Sequence, residues 1–132
     1  ELAADPTVTA ARGQVVHVAA LPGVPCVCDE DRMIYVLPRN DCTVVGGSYE
    51  LANESEAVDP AQTEALLARA CALVPALAGA TVLGAHVGLR PVRKDGPRVE
   101  RVGNVIHCYG HGGAGLTLSW GCARQVVALA GG

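Results

Sequence analysis

Val105-Ile106-His107-Cys108-Tyr109-Gly110-His111-Gly112-Gly113-Ala114-Gly115-Leu116-Thr117 is the stretch on which the fold turns. Its first five residues, rich in β-branched and aromatic side chains, predict a strand over 105–109. A glycine turn follows, then a helix from about Leu116 to Ala130. Gly110, Gly112 and Gly115 satisfy G-x-G-x-x-G between a strand and a helix, the setting of a dinucleotide fingerprint. That fingerprint also needs an acidic residue about 20 positions on, and no Asp or Glu follows Glu100. The unit is therefore incomplete, and only its local physics remains. Glycines let a ligand approach the backbone, and the positive end of the helix favours an anionic or electron-rich ligand atom. A Gly-rich turn with no ligand satisfies the same spacing, so both readings stand at this point.

Upstream, the pattern alternates between strand and helix. Residues 1–11 read as the end of an Ala-rich helix that starts without a cap, and so looks cut. Strands are expected at Gly13–Ala20, Val24–Asp29, Met33–Leu37 and Cys42–Glu50. Gly46-Gly47 in the last of these marks a bulge or a close backbone approach. Asp59-Pro60 is an N-cap followed by proline at the first helical position. Leu66, Leu67, Ala70, Cys71, Val74 and Leu77 recur at helical spacing and predict a helix over 60–73. Residues 80–90 return to strand, and 98–102 form a short strand between turns at 94–97 and 103–104. The class is α+β: one mixed, largely antiparallel sheet with two substantial helices.

Composition sets the outer limits. The chain has 132 residues, enough for one domain with a core; half are hydrophobic and 17% charged, which excludes disorder. No apolar run reaches the roughly 18–20 residues of a membrane span. A net charge of −3, scattered basic residues and 3% aromatics argue against nucleic-acid binding. Met33 is the only methionine, so Glu1 is no initiator, and Glu1-Leu2-Ala3-Ala4-Asp5 is no signal peptide. The chain is expected to be a piece of something longer. Most of Cys26, Cys28, Cys42, Cys71, Cys108 and Cys122 lie in apolar runs, which predicts reduced, mostly buried thiols and a cytoplasmic location.

Three candidates can carry chemistry besides the glycine turn. Arg90, in Gly88-Leu89-Arg90-Pro91, ends an apolar strand and is followed by a rigid proline; it suits a carboxylate, while a solvated strand end is the commoner setting for such an arginine. Tyr35, in Ile34-Tyr35-Val36-Leu37-Pro38, is either core or a hydroxyl donor to a substrate oxygen. Cys26, Cys28, Cys42, His107, Cys108 and His111 are metal-binding types, but there is no C-x2-C pair. The expectation is a metal-free chain. No Ser-His-Asp order or G-x-S-x-G elbow is present.

Taken together, six ordered blocks resemble the D-amino acid oxidase family of flavoenzymes, in its C-terminal half. They are Arg12-Gly13-Gln14-Val15-Val16, Ile34-Tyr35-Val36-Leu37-Pro38, Val45-Gly46-Gly47-Ser48-Tyr49, Gly88-Leu89-Arg90-Pro91-Val92-Arg93, Val105-Ile106-His107-Cys108-Tyr109-Gly110-His111-Gly112-Gly113 and Gly115-Leu116-Thr117-Leu118-Ser119-Trp120-Gly121-Cys122-Ala123. The resemblance implies FAD as cofactor, a D-amino acid and oxygen as substrates, and 2-oxo acid, ammonia and hydrogen peroxide as products. Residues 1–12 would then be the end of a helix from a missing N-terminal FAD-binding domain, 13–103 the substrate-binding domain, and 104–132 the strand, turn and helix facing the flavin. Carried over by position, Arg90 pairs with the substrate carboxylate, Tyr35 hydrogen-bonds it, and the Gly113 carbonyl receives the amine. Gly112, Gly113, Ala114, Gly115, Leu116 and Thr117 line the flavin.

Two departures stand out. Asp31-Arg32-Met33-Ile34 occupies the place where many members carry a lid with a second tyrosine, and Cys108 stands where Asn is common. Alternatives within the resemblance are a glycine oxidase, a D-aspartate oxidase, or a ligand-binding or scaffold module without redox chemistry. The missing domain is the expected partner, and a homodimer is compatible with the reading.

Overall fold

The computed structural model describes residues 4–131. Eight strands and two helices follow in the order β1 (Val8–Ala19), β2 (Val27–Asp29), β3 (Ile34–Pro38), β4 (Cys42–Gly46), β5 (Glu50–Leu51), α1 (Pro60–Leu73), β6 (Val82–Arg93), β7 (Arg98–Val102), β8 (Val105–Tyr109) and α2 (Gly115–Gly131). Short 3-10 turns sit at Pro75–Leu77 and Gly112–Ala114. Six strands form one sheet in the order β2-β3-β4-β1-β5, with β6 also paired to β1. The pairs β2–β3, β3–β4 and β4–β1 are antiparallel. The class is α+β as expected, but the strands do not make a single sheet: β7 and β8 form a separate two-stranded antiparallel one.

One expectation fails at the N-terminus. Residues 8–12 are strand, not the end of a helix. Thr7, Val8 and Thr9 are β-branched, and Asp5 fastens the turn before them by accepting from the Thr7 amide and hydroxyl at 3.0 and 2.6 Å. Ladder pairing then outweighs the helix propensity of the alanines. Residues 1–3 of that expectation lie outside the described residues. Strand β6 likewise runs beyond the expected end, to Arg93.

The chain divides into two compact units: residues 12–50 with 55–88, and residues 1–11 with 51–54 and 89–132. The first holds the main core. Val16 and Val18 of β1, Ile34 and Val36 of β3, and Val45 of β4 meet Leu66, Ala70 and Val74 of the α1 stripe and Leu77 beyond it. Helix α1 begins where Asp59 accepts from the Ala61 and Gln62 amides, with Pro60 at its first position. Beside the core, Arg12 is buried, with 3% exposure. Its guanidinium donates to Glu50, Gln62, Gln14 and the carbonyls of Ser55 and Ala57 at 2.7–3.0 Å. Gln14 in turn donates to the Asp59 carbonyl and Thr63, tying β1 to the start of α1.

In the second unit, α2 packs on the β7–β8 hairpin. Asp5 accepts from Arg93 Nε at 3.0 Å and from the Tyr109 hydroxyl at 2.8 Å, fastening the chain start to β6 and β8. These hydrogen bonds, Thr7 foremost and Tyr109 next, hold the Asp5 carboxyl far below the ordinary carboxylate range.

Candidate functional site

Residues 110–117 join β8 to α2 through two glycines at positive φ, Gly110 at 81° and Gly112 at 55°. Neither can be exchanged freely, because β6 packs against the turn. An added Cβ at Gly110 would meet Arg93 Cβ at 2.7 Å, and one at Gly112 would meet Val92 Cγ2 at 3.2 Å. At Gly113 the neighbour is Arg90: its Cδ and Nε lie 3.3 and 3.5 Å from where a Cβ would be. The structure thus brings Arg90 and Gly113 together, two residues 23 positions apart in a chain that offers no local signal for their meeting. Ala114 closes the 3-10 turn by donating to the His111 carbonyl at 3.0 Å. Gly115, Leu116 and Thr117 open α2 and are exposed.

Arg90 is half-buried and borders a cavity of about 260 Å³ lined by Val8, Thr9, Ala10, Glu54, Leu89 and Pro91. That volume suits a small ligand. Tyr35 belongs to the other compact unit. It faces Gly46 across the β3–β4 ladder, and a Cβ on Gly46 would overlap the tyrosine ring and hydroxyl. The close backbone approach expected at Gly46-Gly47 is thus a seat for the Tyr35 ring.

Two cysteine expectations change. Cys26, Cys28 and Cys108 are exposed, Cys71 and Cys122 are intermediate, and only Cys42 is buried. Cys26 and Cys28 lie in or beside β2 at the end of the sheet order, and Cys108 belongs to the two-stranded sheet. All six are free thiols. Sequence spacing also overlooked Cys122, which lies eleven residues beyond His111. Its Sγ is 3.1 Å from His111 Nε2, and the ligand atoms of Cys108, His111 and Cys122 all lie within 4.8 Å of one another. Partial desolvation, then the neighbouring Cys122, push the Cys108 thiol above its ordinary value.

The Gly112–Thr117 segment suits a flavin on chemical grounds. Gly112 and Gly113 leave backbone uncovered, and an exposed helix start presents amides to an electron-rich ring edge. Comparisons with known proteins bear on the family of the chain. The chain is 45% identical to a D-amino-acid oxidase of Rubrobacter xylanophilus, covering 99% of this chain and 42% of the relative. It is 31% identical to the human D-aspartate oxidase, covering 98% of this chain and 40% of the relative. Its fold matches a glycine oxidase from Geobacillus kaustophilus with a TM-score of 0.81 at 24% identity, over 93% of this chain and 35% of that one. The chain therefore spans about two fifths of the length of the relatives it matches. A family model described as FAD dependent oxidoreductase covers residues 1–129, and the chain belongs to that family.

Proposed function

We propose that this chain is the C-terminal, substrate-binding part of an FAD-dependent D-amino acid oxidase. The whole protein would convert a D-amino acid, oxygen and water to a 2-oxo acid, ammonia and hydrogen peroxide. The observation that carries the reading is the packing of Arg90 against Gly113. A carboxylate-binding fork and a carbonyl able to accept from an amine then share one small region.

FAD, when bound, supplies the acceptor for two electrons and the hydride from the substrate Cα. Everything else falls to positioning. Arg90 holds the carboxylate with two parallel N–H donors, which fixes the rotation of the substrate as well as its place. Tyr35, carried over from the family resemblance, donates a further hydrogen bond to that carboxylate. The Gly113 carbonyl accepts from the amine. With carboxylate and amine both held, only one configuration at Cα turns its hydrogen toward the flavin face, which accounts for stereospecificity. Gly112 to Thr117 would hold the cofactor ring, with the positive start of α2 favouring the charge that grows there. No side-chain base is required, because the amine loses its proton before the step.

Arg90→Lys in the full-length protein tests the reading. Lysine keeps the charge and loses the fork, so kcat/KM on D-alanine should fall at least tenfold, matching the roughly 1.5–3 kcal/mol of a charged hydrogen bond. Kinetics unchanged from the parent would remove Arg90 from the carboxylate role.

A further inference from the structure

The structure gathers Cys108, His111 and Cys122 from three elements: the end of β8, the residue before the Gly112–Ala114 turn, and the third turn of α2. We propose that these three side chains form a zinc site with an open fourth position, independent of the flavoenzyme reading.

The size is right. Around a tetrahedral zinc with Zn–S about 2.3 Å and Zn–N about 2.0 Å, neighbouring ligand atoms sit roughly 3.5–3.8 Å apart. Here the three ligand atoms lie within 4.8 Å of one another, and the His111–Cys122 pair at 3.1 Å, so pair distances must change by at most about 1.3 Å, shared between two side chains, to complete the geometry. The donor chemistry is right as well. Two thiolates and a neutral imidazole are a zinc donor set, and their two negative charges cancel those of the ion. The surroundings leave a way in: Cys108 is exposed, while His111 and Cys122 are half-buried. Solvent or an external ligand can occupy the fourth position. Gly110, at φ 81°, reverses the chain so that residues 108 and 111 converge; without that bend a strand would carry them apart. On binding, the two thiols release their protons and three segments become tied through one ion.

Cobalt(II) titration of the purified, reduced full-length protein tests the site. The expected result is one ion per chain, with thiolate-to-cobalt charge-transfer absorption and the intense visible bands of a four-coordinate ion, both abolished by zinc. Cys108→Ser and Cys122→Ser should each remove the charge-transfer intensity or cut it by about half, with at least a tenfold loss of affinity. The double variant Cys26→Ser/Cys28→Ser, which changes the two exposed thiols in and beside β2, should titrate like the parent. Cys108 is exposed, so its variant reads the site even if Cys122→Ser fails to fold. Absence of saturable binding, or spectra that survive both Cys108→Ser and Cys122→Ser, overturns the proposal. So does a signal lost only with Cys26 and Cys28. A metal site that fails leaves Arg90→Lys kinetics untouched, so the two readings fail separately.

Discussion

An added Cβ at Gly110 would sit 2.7 Å from the Cβ of Arg93, on a backbone already at φ 81°. Both penalties act on rigid atoms, so Gly110→Ala should destabilise the protein by about 1–3 kcal/mol, read from the denaturant midpoint. Gly113 differs, because the atoms facing it belong to the Arg90 side chain and can give way. Gly113→Ala should cost under about 1 kcal/mol of stability yet displace the guanidinium, so kcat/KM should fall while the fold holds. Equal stability losses at the two positions would show that the turn does not discriminate between packing and ligand contact. Asp5 carries the residue-scale pH dependence. Its folded carboxyl is held far below the ordinary 3.8, so its contribution is complete above that value. Below about pH 4 the unfolded chain takes up a proton that the folded chain refuses, and stability falls with pH. Asp5→Asn should lower Tm at neutral pH and flatten the acid limb; an unchanged acid limb would place the sensitivity elsewhere.

Among the elements, β1 and α1 are joined by polar groups where a hydrophobic contact would be usual. Arg12 is buried yet satisfied, with two backbone carbonyls, Gln14, Gln62 and Glu50 as its acceptors. Removing it takes one donor from each of these acceptors, although Glu50 still accepts from Gln62, Gln62 from Ser48 and Gln14 from the Asp59 amide. Arg12→Ala should cost about 3 kcal/mol or more, at the scale of breaking a buried pair. Arg12→Lys should recover only part of the loss, since one ammonium cannot reach five acceptors. Chemical denaturation of both variants checks the order. Helix α2 has the opposite character: it packs on β7 and β8, yet none of its residues is fully buried, and Leu116 and Trp120 are 89% and 85% exposed.

On the scale of the whole molecule, that exposed face of α2 sets how the chain behaves in water. Trp120, Ala123, Arg124, Val127 and Ala128 line a shallow cavity of about 390 Å³. Exposed apolar surface of this kind drives association in water. Expressed as these 132 residues alone, the chain should self-associate and bind FAD more weakly than micromolar. A flavin dinucleotide needs a pyrophosphate cradle, and the helix-end contribution of about 0.3–1 kcal/mol is far below the cost of immobilising a free ligand. Trp120 is the sole tryptophan of these 132 residues, so in the lone chain its emission reports the face directly. It should be solvent-like in the dilute lone chain and shift to the blue as rising concentration drives association. Sub-micromolar FAD affinity of the lone chain would reject this account.

Local chemistry by itself determined α1, with its Asp59-Pro60 start and apolar stripe, and the boundaries of β7 and β8, because caps, turns and side-chain periodicity act within a few residues. It also marked the glycine turn and the strand that carries Arg90, though that strand continues to Arg93. It misjudged residues 8–12, where pairing with distant strands outweighs alanine's helical preference, and it misjudged the cysteines, whose exposure depends on which strands lie at an edge. Only the tertiary structure decided that Arg90 rests on Gly113, that the Tyr35 ring fills the space over Gly46, and that Cys122 joins Cys108 and His111. Arg90 and Gly113 are 23 positions apart, and although the other two meetings join successive elements, neither spacing nor periodicity encodes which faces come together.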